Sequence, residues 1–250
     1  MAAETAAKRT GHALRRKMVL AAAGLLEDEG LEALSTRAVA ARTGVPTPSV
    51  FRLFGDKEGL LEEVAEHGFQ RYLGAKAGLL TDEDPVRMLR DAWDLHVAFG
   101  LEHPAYYTLV YGRVRPGHLP RAGRRAAADL RKMITRVAAA GRLRMGVQCA
   151  TDVLHAVGVG TILTLIGTPP GERDPRTAES AREMVIDALT LPSGEHPAPA
   201  GPAVPSSAMA LLAALGEDDP AVLSAGERVL LLEWLDRLAD GPRGDGPRRG

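Results

Sequence analysis

The chain has few aromatic residues and a single cysteine, and each shortage excludes a class of structure. Aromatic side chains make up 4% of the 250 residues, whereas alanine, leucine and arginine are abundant. Because these three are strong helix formers, while strands favour aromatic and β-branched residues, we expect an all-α fold. Cys149 alone can form neither an internal disulfide nor a structural zinc site, and we expect no metal or other cofactor.

The sequence also lacks a long uninterrupted apolar run. A membrane span needs roughly 18 consecutive apolar residues, and the longest candidate, 153–166, is interrupted. The first residues carry basic side chains but neither the apolar core nor the cleavage site of a signal peptide. A cytoplasmic protein with no membrane partner is therefore expected.

The chain has almost no net charge, since it contains 31 basic and 32 acidic residues, but these charges are unevenly distributed along the sequence. Residues 1–57 contain nine Lys or Arg against six Asp or Glu, a surplus of three positive charges. Such asymmetry favours an anion-binding N-terminal module, because neutralising phosphates requires local rather than total positive charge.

Three helices are predicted at the N-terminus. Apolar residues recur at three- and four-residue steps over 12–29, which is the period of an amphipathic helix. Ser35 can cap a short helix over 36–43, which Gly44 ends in the left-handed conformation. A third helix follows, for which Thr47 is the expected cap, Pro48 the first residue and 49–54 the remainder.

A longer helix is expected from Lys57 to about Leu80, capped by Asp56. Further helical patterns occupy about 84–101, 103–112, 119–140, 149–167, 176–190, 206–216 and 220–239. No strand pattern competes with them.

Two short helices joined by a glycine turn, after a longer amphipathic helix, form helix-turn-helix geometry. In that arrangement the last helix enters the major groove of DNA and the preceding one crosses the phosphate backbone. The alternative is an ordinary corner of a helical bundle with solvated charges. The polar groups that would meet DNA are Thr36, Arg37, Thr47, Ser49, Arg52 and Lys57.

One stretch of sequence is specific enough to indicate a family. It comprises Leu34-Ser35-Thr36-Arg37-Ala38-Val39-Ala40, then Gly44-Val45-Pro46, then Ser49-Val50-Phe51-Arg52-Leu53-Phe54-Gly55-Asp56-Lys57-Glu58-Gly59-Leu60-Leu61. Over residues 12 to about 65 the chain resembles the tetracycline-repressor (TetR/AcrR) family of transcriptional regulators. Residues 97–107 are also similar to the ligand domain of one large subgroup.

The resemblance implies a repressor that a small-molecule effector releases from a palindromic DNA operator. Arg52 is the candidate for reading a base, because a guanidinium bonded to guanine is the commonest specific contact. Lys57 is the candidate for holding phosphate. The DNA contacts implied by position are Thr36, Arg37, Thr47, Pro48, Ser49, Phe51, Arg52 and Lys57.

Two residues depart from the family pattern. Phe51 stands where tyrosine is usual, and Leu53 where histidine or tyrosine is common. Both changes remove a polar group, so fewer phosphate contacts are expected unless the basic residues between Lys8 and Lys17 reach along the duplex. An alternative for Phe51 is that it packs inside the three-helix unit.

These patterns divide the chain into six parts. They are a flexible basic arm (1–11), a helix-turn-helix DNA-binding domain (12–57), a helical regulatory and dimerisation domain (58–191), a proline-rich linker (192–206), a C-terminal helix pair (207–240) and a disordered tail (241–250).

A homodimer is expected through 149–167 and 176–190, because the first segment is apolar and its glycines allow close helix contact. A buried central helix in the monomer is equally consistent with that pattern. For a ligand pocket, the large or polar-tipped candidates are Trp93, His96, Phe99, Tyr106, Tyr107, Tyr111, Met133 and His155. Aromatic residues at helical spacing are also typical of a plain core.

Two other functions remain open. A DNA-binding dimer could be regulated by a protein partner, or by none, with the helical body serving dimerisation. An enzyme is the more distant alternative, since the sequence has no phosphate-binding glycine loop, no G-x-S-x-G and no H-E-x-x-H. A metal site built from Asp91, Asp94 and His96 would require unusual convergence.

Overall fold

The computed structural model describes residues 2–113, 116–192, 207, 208, 211, 212, 215 and 222–240, with side chains from residue 11 onward. The regular elements of this described part are helices, which confirms the all-α fold. They are α1 (Ala2–Glu29), α2 (Thr36–Thr43), α3 (Thr47–Phe54), α4 (Lys57–Gly78), α5 (Pro85–Glu102), α6 (Pro104–Tyr111), α7 (Arg121–Ala139), α8 (Val147–Gly167), α9 (Arg176–Leu189) and α10 (Ala225–Asp240).

The local signals around α2 act as the sequence predicts. The Ser35 hydroxyl accepts a hydrogen bond from the Ala38 N–H at 3.1 Å, which satisfies one of the free donors of the first turn. Gly44 ends the helix at φ 72°, where a side chain would be strained. The Val45 N–H then donates back to the Ala40 carbonyl at 3.0 Å. This bond fixes the turn into α3.

The expected start of α3 is wrong in detail. Pro46, not Thr47, precedes the helix in an extended conformation and contributes no side-chain cap, while Thr47 is already helical. The Ser49 N–H donates to the Pro46 carbonyl at 2.9 Å. Because proline fixes its own φ near the value found at Pro46, the backbone enters the helix without a polar cap.

Helix α1 begins at Ala2, so in the described residues it runs through the segment expected as a flexible arm (1–11). Residues 2–11 contain four alanines and no proline, so nothing in them stops a helix from extending toward the N-terminus. The linker from 193 onward and the tail at 241–250 lie outside the described residues, as does most of the first helix of the C-terminal pair.

Two clusters of buried side chains form the core. The first unites the packed faces of α1 to α4 with α6, and includes Phe99 of α5 and Ile162 of α8. The second lies among α5, α7, α8 and α9, and α10 contributes Leu235 and Ala239. Helix α4 therefore belongs to the core beneath the helix-turn-helix and also packs on the larger body.

Helix α8 is, by length and composition alone, apolar enough to cross a membrane, with a mean hydropathy of 1.6 over its most apolar stretch. A core helix of a soluble protein meets the same test. In this chain α8 packs against α5, α7 and α9, and 33% of that stretch is buried. Half-buried residues of α8, such as Val159 and Leu163, also pack on the core, and its exposed residues remain open to solvent.

Candidate functional site

Helix α3 has one buried face and one exposed face. Val50 and Phe54, one helical turn apart, are buried against α1, α2 and α4. Pro48, Phe51 and Arg52 are exposed, and we call them the exposed face of α3. Phe51 is 47% exposed, so the alternative that it packs inside the three-helix unit is wrong.

The cations of this module fall into two groups. Arg16, Arg37, Arg52 and Lys57 are exposed, and within the described part of the chain none has a hydrogen bond or an ion pair. Each therefore keeps its charge and its donors for a ligand outside the protomer. Thr36, Thr47 and Ser49 are half-buried beside them, at the first turns of α2 and α3.

The second group of cations is engaged within the protein. Lys17 donates to the Thr43 carbonyl at 2.9 Å, at the end of α2. Arg42 forms ion pairs with Asp28 at 3.2 Å and Glu29 at 3.5 Å. Because such contacts occupy Lys17, and Arg15 as described next, the suggestion that these two basic residues reach along DNA is wrong for this structure.

Arg15 joins three helices of the module. Its guanidinium donates to the Leu53 carbonyl at 2.9 Å and to Glu63 on α4 at 3.0 Å, and it lies over the Phe54 ring. Hydrogen bonding from Arg15, opposed by partial burial, lowers the pKa of Glu63 below its usual value. The carboxylate therefore stays ionised and holds the end of α3 against α4.

Gly59 allows the sharp approach of α3 to α4. A Cβ atom at this position would lie 2.0 Å from the Phe54 carbonyl oxygen, which is closer than any real contact. Asp56 caps α4 by accepting from the Gly59 N–H at 2.7 Å. The start of α4 is thus fixed by backbone geometry.

A row of ion pairs connects the same end of α4 with α7. Arg121 reaches Glu62 and Glu63 at 3.4 and 3.3 Å, and Arg125 reaches Glu66 at 3.0 Å. Partly exposed pairs of this kind add little stability singly, but several in a row set the orientation of one helix against another. Movement of α7 would be transmitted to α4.

A second candidate site is a small cavity enclosed by α4, α5, α7 and α8 and by Tyr111 at the end of α6, with about 30 Å³ of open space. Four of the eight predicted pocket residues line it: Trp93, His96, Tyr111 and His155. The remaining lining residues are Tyr72, Lys76, Leu89, Ala92, Ala126, Leu130 and Leu154.

The other four predicted pocket residues pack in the core. Phe99 stacks on Tyr72 at 4.8 Å between ring centroids, and Tyr106 covers Gly68. Tyr107 is fully buried with its hydroxyl hydrogen-bonded to His96 at 3.2 Å. Met133 is fully buried in the second core cluster. These four residues therefore belong to the hydrophobic core, which was the alternative to a ligand pocket.

Sequence reasoning missed Lys76, which is 5% exposed and lines the cavity. Its ammonium donates to the Ala126 carbonyl at 2.9 Å and lies 5.6 Å from the Tyr72 ring centre. Burial lowers the pKa of Lys76 to about 8, partly offset by the charge of Asp129. A signal was present, because Phe69, Tyr72, Leu73 and Lys76 occupy one helical face at three- and four-residue steps.

Three buried polar atoms of the cavity residues have no hydrogen-bond partner among the described residues. They are the hydroxyl groups of Tyr72 and Tyr111 and the Nε2 atom of His155. Burial lowers the pKa of His96 and of His155, so both rings are neutral near pH 7. Lys76 is then the one formal charge among the residues that line the cavity.

No metal-binding arrangement is found in the described residues, where no three His, Cys, Asp or Glu side chains converge. The weighed combination of Asp91, Asp94 and His96 does not form, because Asp94 pairs with Arg182 on α9 while His96 turns toward Tyr107. Cys149 is a free, exposed thiol.

Comparison with known proteins shows which family the N-terminal helices resemble. Residues 19–64 match a family model described as bacterial regulatory proteins, tetR family. No curated protein matches this chain in sequence. The match covers the last part of α1, all of α2 and α3, and the first part of α4.

Solved structures share the fold over most of the chain. A protein of unknown function from Rhodococcus sp. RHA1 is 25% identical with a TM-score of 0.59, covering 71% of this chain and 95% of that one. A putative tetR-family transcription regulator from Shewanella sp. PV-4 is 17% identical with a TM-score of 0.57, covering 72% and 99%. A TetR/AcrR-family regulator from Thermobifida fusca YX-ER1 is 18% identical with a TM-score of 0.53, covering 69% and 96%.

Proposed function

We propose that this chain is a dimeric transcriptional repressor. Residues 19–64 match the family model of bacterial regulatory proteins, tetR family, whose members are transcription regulators and not enzymes. In this proposal two copies of α3 bind a palindromic operator. A small molecule in the helical body releases the DNA.

The observation that carries the proposal is the division of cations within the module. Arg15, Lys17 and Arg42 bond to groups of the protein, whereas Arg37, Arg52 and Lys57 are exposed and lack such bonds among the described residues. These three lie on or beside α2 and α3, the elements that approach DNA in a helix-turn-helix. Arg16, which is also exposed and without such a bond among the described residues, lies on α1. Thr36, Thr47, Pro48, Ser49 and Phe51 complete the proposed contact set.

The surface of α8 and α9 supports a homodimer. One exposed stripe of α8 carries mostly small residues at three- and four-residue steps: Cys149, Val153, Ala156, Gly160 and Thr164. A stripe of α9 carries the exposed residues Thr177, Ser180, Met184 and Ala188, and Met184 is 74% exposed. The exposed residues Gln148 and Asp152 on α8, and Arg176, Glu179 and Asp187 on α9, lie outside these two stripes. Small side chains allow two helices to approach closely, and a large exposed apolar side chain is typical of an interface. We therefore assign the interface to these two helices.

Helix α4 is the proposed link between ligand and DNA. One end carries Lys57 beside the exposed face of α3, and the other end carries Tyr72 and Lys76 in the cavity wall. A ligand can shift DNA binding only if it favours one position of a connecting element. The cavity has room for about two water molecules, so a larger occupant must displace α4 or its neighbours.

Capture of genomic fragments tests the DNA-binding function. Purified full-length protein is mixed with sheared genomic DNA at fixed salt, and the bound fragments are sequenced. We expect enrichment of a palindrome with half-sites about one helical turn apart. Arg52→Ala should lose the enrichment, and Arg42→Ala, which alters a paired arginine of the same module, should keep it. Absence of any enriched palindrome would refute the proposal.

A further inference from the structure

The wall of the cavity between α4, α5, α7 and α8 has more hydrogen-bond donors than acceptors. The Lys76 ammonium has three N–H donors and no acceptor, and one of them is used by the Ala126 carbonyl. The hydroxyl groups of Tyr72 and Tyr111 are buried without a partner among the described residues, and each can donate. The side chain of Trp93 is already satisfied, because its Nε1–H donates to the Ala178 carbonyl at 3.1 Å.

The charge of the wall is likewise uncompensated. Lys76 is 5% exposed, and no carboxylate lies within ion-pair distance of it in the described part of the chain. Asp129 acts on it only through space, since its carboxylate is bonded to Lys132 at 2.8 Å. A buried charge without a paired counter-charge is costly, so a lysine in this setting is expected to have a partner of opposite charge.

We propose that this cavity binds a monocarboxylate with an apolar body. The inference rests on the proposed function and names the ligand class of the same regulator. A carboxylate brings two oxygen atoms that only accept hydrogen bonds, which matches the donors of Lys76, Tyr72 and Tyr111. The body of the ligand then lies against the apolar part of the wall: Leu89, Ala92, Leu130 and Leu154.

Other ligand classes fit these groups less well. A neutral amide or alcohol would leave Lys76 without a counter-charge, and an amine would place a second cation beside it. An amino acid would bring an ammonium group that needs acceptors, and a phosphate would bury more negative charge than one lysine balances. His155 adds an uncharged group, whose Nε2 can donate or accept according to the ring tautomer.

The position of the cavity connects this ligand with DNA binding. Tyr72 and Lys76 lie on α4, six and two residues before its end at Gly78, while the rest of the wall is formed by α5, α6, α7 and α8. The present space of about 30 Å³ accommodates a carboxylate group at most. An apolar chain attached to it must separate α4 from α5 and α7, and that movement would be passed to α3.

Binding is tested on the full-length protein without DNA, so that the result does not depend on an operator. Acetate, butyrate, hexanoate and octanoate are titrated at constant ionic strength, and melting temperature and calorimetric affinity are measured. Octanoate should raise the melting temperature, while octanamide of nearly the same shape, sodium chloride and inorganic phosphate should not. Equal binding of octanamide, or no shift with any of the four carboxylates, would overturn the proposal.

Two variants identify the groups responsible. Lys76→Met keeps the size and apolar stem of the side chain, and should weaken octanoate binding at least tenfold, which is the loss expected for a hydrogen bond to a charged group. Tyr111→Phe keeps the ring and should weaken it roughly fivefold. Lys132→Met, an exposed lysine of α7, serves as the control and should leave the affinity unchanged.

If Lys76→Met does not fold, Tyr111→Phe alone decides the outcome. Unchanged affinity in a folded Lys76→Met, or in Tyr111→Phe when that variant stands alone, would show that octanoate binds elsewhere and would overturn the proposal. Octanoate binding without any captured operator would refute the proposed function and leave the ligand class standing. Capture of an operator by a protein that binds no carboxylate would support the proposed function and overturn the ligand class.

Discussion

At the scale of single residues, chemically identical side chains of the N-terminal helices have different contacts and therefore different roles. Arg15 and Arg52 are both arginines of the N-terminal module, but Arg15 bonds to Glu63 and to the Leu53 carbonyl, whereas Arg52 projects from the exposed face of α3. The difference follows from position on a helix and not from residue type. Contacts within the protein therefore separate structural arginines from those available to DNA.

The substitution Arg52→Ala tests this separation. We expect DNA affinity to fall by about 1 to 3 kcal/mol, which is roughly 5- to 150-fold, with discrimination relaxed at one base pair of each half-site. The unfolding free energy should change by no more than about 0.5 kcal/mol, because the side chain has no partner to lose. Fluorescence anisotropy on the captured operator and urea unfolding measure the two quantities.

Arg42→Ala is the matched control, since Arg42 is exposed on α2 but paired with Asp28 and Glu29. Its DNA affinity should stay within about twofold of the unsubstituted protein. A larger loss for Arg42→Ala than for Arg52→Ala would contradict the assignment of α3 as the base-reading helix.

The buried ammonium of Lys76 makes stability depend on pH. Its pKa is lowered to about 8 in the folded protein and returns toward 10.5 on unfolding. Between these values the unfolded chain binds more protons, so the contribution of Lys76 to the unfolding free energy becomes more favourable as pH rises from 8 to 10. Below pH 8 the cost of burying the charge is fully present.

Lys76→Met should remove this rise and increase stability at pH 7 by roughly 1 kcal/mol or more, as replacing a buried charge often does. Urea unfolding at pH 7, 8, 9 and 10 measures both effects. Burial also raises the pKa of Tyr72 and of Tyr111, which lowers stability as pH approaches 10, because these groups ionise first in the unfolded chain. Both proteins contain the two tyrosines, so the difference between their profiles reports Lys76. A parallel pH profile in the two proteins would contradict the buried, charged lysine.

At the scale of elements, the joint between α3 and α4 depends on a single missing side chain. Gly59→Ala would place a methyl group 2.0 Å from the Phe54 carbonyl oxygen, so the two helices must move apart. We expect a loss of about 1 to 3 kcal/mol in unfolding free energy and weaker DNA binding, because the exposed face of α3 is tilted. Thermal unfolding and anisotropy measure these changes.

Gly74→Ala lies in the same helix and provides the comparison. A Cβ atom there meets nothing within 4 Å, so the substitution only removes conformational freedom from the unfolded chain. It should stabilise the protein by about 0.5 to 1 kcal/mol and leave DNA binding unchanged. Similar effects of the two substitutions would show that the joint is not sterically closed at Gly59.

The elements also show which features can be predicted from sequence. The bounds of α2 were predicted correctly because their causes are local, a serine cap at one end and a glycine at the other. The start of α3 was misassigned because Thr47 offers a plausible cap, while the fixed φ of Pro46 decides the entry. Cation pairing was not predictable, since Arg15 and Glu63 are 48 residues apart in sequence and meet only in the folded protein.

The cavity illustrates the same limit. The predicted pocket residues include both residues that line the cavity and residues that pack in the core. Helical spacing shows which side chains share a face of a helix, but not which neighbouring helix that face contacts. Trp93 and His96 reach the cavity from α5, whereas Phe99 on the same helix packs in the first core cluster. Lys76 stands at an apolar position of α4, and that conflict between residue type and position was the signal for a functional group.

At the scale of the whole molecule, the account requires two protomers joined through α8 and α9. Met184→Arg would place a charge in the centre of the proposed interface, and we expect the molecular mass in solution to fall from dimer to monomer. Folding should be unaffected because Met184 is 74% exposed in the protomer. Leu20→Arg on α1, where Leu20 is 48% exposed, is the control and should remain dimeric. Light scattering during gel filtration measures the mass, and a dimeric Met184→Arg would place the interface elsewhere.

The central claim is that paired copies of α3 read DNA, and hydroxyl-radical footprinting of the captured operator tests it most directly. The account predicts two protected segments whose centres are about 10 base pairs apart on one face of the duplex. Both should be present with Arg42→Ala and both lost with Arg52→Ala. A single continuous footprint, or protection that Arg52→Ala leaves intact, would contradict the account.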